Sequence, residues 1–75
     1  MGYFSRFKVR NFTPEDKVFL ADGITCSVIE EERDLIVIET RYQPRIEEAV
    51  LDFEYVFRWL LEHGGEVVLG ELVKI

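Results

Sequence analysis

Only two side chains in this sequence combine the right chemistry with an unusual position, and each type occurs once: His63 and Cys26. A lone imidazole can serve as a general base near neutral pH, and a thiol beside it can serve as a nucleophile. His63, however, stands just before Gly64-Gly65 at the end of an amphipathic segment. There an imidazole bonds the last helix carbonyls and answers the helix dipole. Cys26 sits between Thr25 and Ser27 in a β-rich run, a place for a small buried hydrophobe. Nothing in their spacing joins the two. One cysteine and one histidine also leave no internal disulfide and no structural zinc pattern. The acidic run from Glu30 to Asp34 lacks the spacing and central glycine of a calcium loop and reads as a solvated hairpin tip. The five glycines form no phosphate cradle. These observations predict no enzyme activity, no metal and no cofactor.

Two other patterns point toward binding. Arg6, Lys8 and Arg10 alternate along one strand face, with Phe4 and Phe12 flanking them, and they hold three of the nine cations of a chain with net charge −6. Cations spaced about 7 Å apart along a strand can track phosphates, and neighbouring aromatics can stack on unpaired bases. The face is therefore a candidate nucleic-acid surface, extended by Arg41 and Arg45 if the fourth strand lies alongside. The structural alternative is a solvated face, a charged protective edge, or a strand ion-paired to acidic neighbours. Three cations neutralise few phosphates, which weighs for the alternative.

The second pattern is Leu51, Tyr55 and Trp59, spaced i, i+4, i+8 on a helical segment. They form a stripe on its outer side, ringed by Glu48, Asp52 and Glu62. Trp and Tyr are favoured at interface hot spots, so these six residues are the candidate partner-binding set. The plain alternative is that the rings lie flat on the surface and cover stems such as that of Arg58. In a self-pair, Glu47, Glu48 and Asp52 repel their own copies. A homodimer through this stripe must then be antiparallel or offset, and a foreign protein partner must be basic.

Positioning these residues requires a definite set of elements. Tyr3, Ser5, Phe7 and Val9 alternate with Phe4, Arg6, Lys8, Arg10 and Phe12, the period of a strand with unlike faces. Asp22-Gly23, set between Val18-Phe19-Leu20-Ala21 and Ile24 to Ile29, is a two-residue hairpin signal. Thr13-Pro14-Glu15-Asp16 also suits a helical start, so residues 14–21 read as strand or short helix. Leu35-Ile36-Val37-Ile38 is apolar on both faces and is the candidate centre of the sheet. Pro44 and Gly64-Gly65 bracket a helix over residues 44–63. Its Ile46, Ala49, Val50, Phe53, Val56, Phe57, Leu60 and Leu61 fall on one arc that should pack on the sheet. Residues 66–75 return to β, with Gly70 a candidate bulge.

The sequence thus predicts a single α+β domain over residues 1–75. It is a two-layer fold in the order β-β-β-β-α-β, with a four- or five-stranded, mainly antiparallel sheet and one long helix on one face. At 75 residues and 48% apolar content the chain folds but has a small core. Without disulfide or metal, association is the remaining way to add stability, and a homodimer or other protein partner is expected. Excess acid opposes general nucleic-acid binding. Gly2 lacks the Ser or Thr of a myristoylation signal at residue 6, and no run is long and apolar enough for a secretory signal or a membrane span. The expectation is a cytoplasmic, non-membrane regulatory or interaction module. Nucleic-acid binding through the first strand is the alternative. Scarce Asn, Gln, Met and Cys beside abundant Glu and branched aliphatics suit a thermophilic source.

Overall fold

The computed structural model describes residues 1–75. The elements are β1 (Tyr3–Arg10), β2 (Val18–Ala21), β3 (Ile24–Glu32), β4 (Leu35–Thr40), α1 (Ile46–Glu62) and β5 (Glu66–Lys74). All five strands lie in one sheet of order β2-β3-β4-β1-β5, with every neighbouring pair antiparallel. The α+β class and element order expected from sequence are therefore observed. Because β1 is antiparallel to both its neighbours, β4 and β5 run parallel with β1 between them. The connection through α1 thus carries the chain over one face of the sheet.

Local chemistry accounts for the turns. Asp22 and Gly23 both take positive φ, 53° and 80°, as a two-residue hairpin with the right twist requires. Residues 15–17 form bends and residues 18–21 a strand, so this segment holds no helix. Asn11, at φ 58°, ends β1 and turns the chain. The acidic run lies at the exposed end of the β3–β4 hairpin. β3 continues through Glu32, and only Arg33 and Asp34 make the turn to β4. β4 is the middle strand, and Leu35, Ile36, Val37 and Ile38 are all buried.

The helix is shorter than its bracketing residues suggest. Arg45 is extended at φ −119° and ψ 137° and caps the start, which leaves Pro44 outside. At the other end Gly64 takes φ 82°, and the Gly64 and Gly65 amides donate to the carbonyls of Leu61 and Leu60. This paired closure is what glycine after a helix permits.

The helix also sits differently about its own axis. Its buried residues are Ala49, Asp52, Val56 and Leu60, with Phe53 and Trp59 half-buried. Ile46, Phe57 and Leu61, assigned to the sheet by periodicity, are exposed. At 100° per residue the buried face is turned by about 70° from the centre of the apolar arc. The core beneath it joins Phe7, Val9, Ile36, Ile38, Val56 and Leu60.

Gly70 is not the bulge. The register shift in β5 falls between the Lys8–Leu69 and Val9–Val67 pairs, which makes Val68 the extra residue. Gly70 is glycine because rings fill its side-chain position. A Cβ there would lie 3.1 Å from Phe53 Cζ and 3.2 Å from Phe7 Cδ1. Gly70→Val is expected to lower unfolding free energy by about 1–3 kcal/mol, as overpacking does, read from the urea midpoint at unchanged slope.

Candidate interaction surface

The basic strand face exists, but its charges are engaged. Arg6 Nε donates to Glu39 Oε2 at 2.9 Å on β4, and its Nη1 donates to Glu71 Oε1 at 3.3 Å on β5. Lys8 Nζ reaches over β4 to Glu31 Oε1 at 3.2 Å. Hydrogen bonding to Glu39 is the main cause that raises the Arg6 pKa. Phe4 lies on this face with the Arg6 guanidinium 5.4 Å over its ring and Tyr42 edge-on at 5.2 Å. Phe12 has left it: the turn at Asn11 sends its ring to the helix side, 5.6 Å from Trp59 and 6.0 Å from Phe19. Arg41 does not extend the patch, because it binds Asp52, and Arg45 stands exposed near Glu47 at 3.8 Å. Only Arg10 of the three strand cations has no ion-pair partner.

The outer helix stripe is not assembled as expected. Leu51 and Tyr55 do face outward, and the Arg58 guanidinium lies 5.7 Å over the Tyr55 ring, as a flat surface ring would have it. Trp59 points the other way. It stacks on Phe19 at 5.3 Å and on His63 at 3.8 Å, filling the space between α1 and β2. His63 caps the helix: its amide and its ring Nδ1 both donate to the Trp59 carbonyl, at 3.1 and 2.8 Å. Asp52, placed in the acidic ring, is buried. It accepts from Arg41 Nε and Nη2 at 3.1 and 3.2 Å and from Gln43 Nε2 at 3.0 Å. That bidentate clamp ties the first half of α1 to the segment after β4, and it raises the Arg41 pKa chiefly through the hydrogen bond. Glu48 and Glu62 remain exposed on the outside.

The roll of the helix creates a different apolar surface. Phe53 packs over Gly70 on β5 and Trp59 reaches β2, so residues on the far side of Phe53 overhang the β5 edge. Ile46, Phe57 and Leu61 are 47%, 36% and 55% exposed there, beside half-buried Val50. The strand adds Leu72, 38% exposed and on the same sheet face as Gly70. Phe7, Phe53 and Phe57 form a ring series behind this surface, with centroids 4.9 and 5.9 Å apart. Sequence reading missed it because periodicity gave these helix residues to the core. The available signal was width: one helix of about 10–12 Å diameter cannot cover both faces of such an arc.

A hollow of about 340 Å3 lies between residues 12–17 and the β3–β4 hairpin and is rimmed by Glu15, Asp16, Glu30, Glu32 and Asp34. No three His, Cys, Asp or Glu side chains in the chain are grouped to hold a metal ion. No helix is long and apolar enough to cross a membrane. No protein-family model matches the chain, and no curated protein or solved structure does so either.

Cys26 is fully buried in the core, and burial pushes its thiol from an ordinary 9.0 up to about 11. The unfolded thiol ionises first, so the stability this group contributes is present below pH 9.0 and lost as pH rises toward 11. Denaturant titrations across that range should show a steeper decline for the natural chain than for Cys26→Ala. Parallel slopes would show that the thiol keeps an ordinary environment.

Proposed function

We propose that this chain is a small, non-catalytic protein-interaction module that docks through the side of α1 overhanging β5. The observation that carries the reading is the exposure of Ile46, Phe57 and Leu61 beside a long edge strand. An apolar helix flank and an unpaired strand edge that adjoin one another are each recognition surfaces, and together they offer both burial and backbone hydrogen bonds. A regulatory role fits a module that binds without transforming its partner. The outer pair Leu51 and Tyr55 is a smaller candidate contact, since Trp59 is committed to the chain's own packing.

The nucleic-acid reading has less support. Two of its three strand cations are neutralised by carboxylates within the chain, and Phe12 is on the other side of the sheet. Phosphate binding would have to break those pairs before gaining from counterion release.

Amide exchange followed by mass spectrometry separates the readings. Compared with the dilute chain, concentrated chain or source-cell extract is expected to slow exchange in β5 and in the second half of α1. Unchanged exchange there in both conditions would overturn the docking reading. Saturable, salt-sensitive binding of oligonucleotides that Arg10→Ala weakens would favour the basic strand instead.

A further inference from the structure

We draw no further inference here: the strongest candidate, the apolar surface that the exposed flank of α1 forms beside the β5 edge, carries none because nothing in the structure shows what covers it.

Discussion

A single helix must cover a sheet nearly twice its width. Five strands at about 4.8 Å spacing span about 19 Å, whereas a helix with its side chains is about 10–12 Å across. The gap is closed by large rings on both flanks. Toward β2, Trp59 spreads over Phe19 and meets the edge of Phe12, with His63 stacked behind it. Toward β5, Phe53 lies against Phe7 and fills the space above Gly70. The roll of α1 follows from this demand. Turning Trp59 inward to reach β2 leaves Leu61 exposed and Phe57 at the rim, where its ring still lies 6.3 Å from that of Phe7, and the apolar surface beside β5 is the consequence.

Two electrostatic arrangements hold the layers in register with that roll. Arg41 and Gln43 draw the Asp52 carboxylate into the interface between α1 and the end of β4, with all its oxygens accepting hydrogen bonds. The pairing leaves Arg41 partly solvated, so burial falls mainly on the acid, where three charge-assisted bonds offset it. On the uncovered sheet face the row Glu71, Arg6, Glu39 crosses three adjacent strands. Such exposed pairs contribute little stability individually. Their larger effect, with the Lys8–Glu31 pair, is to engage two of the three cations of β1 within the chain, which leaves an acidic protein without a continuous positive surface there.

The two edges then divide the roles of the sheet. β2 is short and bordered by charge, while β5 is long, apolar and roofed by the exposed flank of α1. A small domain whose single cysteine leaves no internal disulfide has a limited core, and the flank of α1 beside β5 is apolar area that the sheet leaves uncovered. The bulge at Val68 increases the local twist of β5, so any strand that joins this edge must follow that twist.

Much of the architecture was legible without coordinates, for local reasons. Alternation in β1, the Asp22-Gly23 turn, the apolar run of β4 and the glycines after α1 each act through near neighbours along the chain. The β-β-β-β-α-β succession of elements and the central place of β4 follow from them, whereas the order β2-β3-β4-β1-β5 within the sheet and the choice of strand over helix at residues 18–21 do not. What sequence could not settle were the relations set by distant groups. Trp59 has the spacing of an outer stripe, but Phe12 and Phe19, 47 and 40 positions away, draw it inward. Asp52 reads as one of several surface acids until Arg41 and Gln43 are folded against it. Arg6 and Lys8 look free until β3, β4 and β5 bring Glu31, Glu39 and Glu71 beside them. Periodicity states which side chains share a helix face, and the choice of which face turns inward belongs to the sheet, because only the assembled layers determine where space must be filled and where a charge finds its partner.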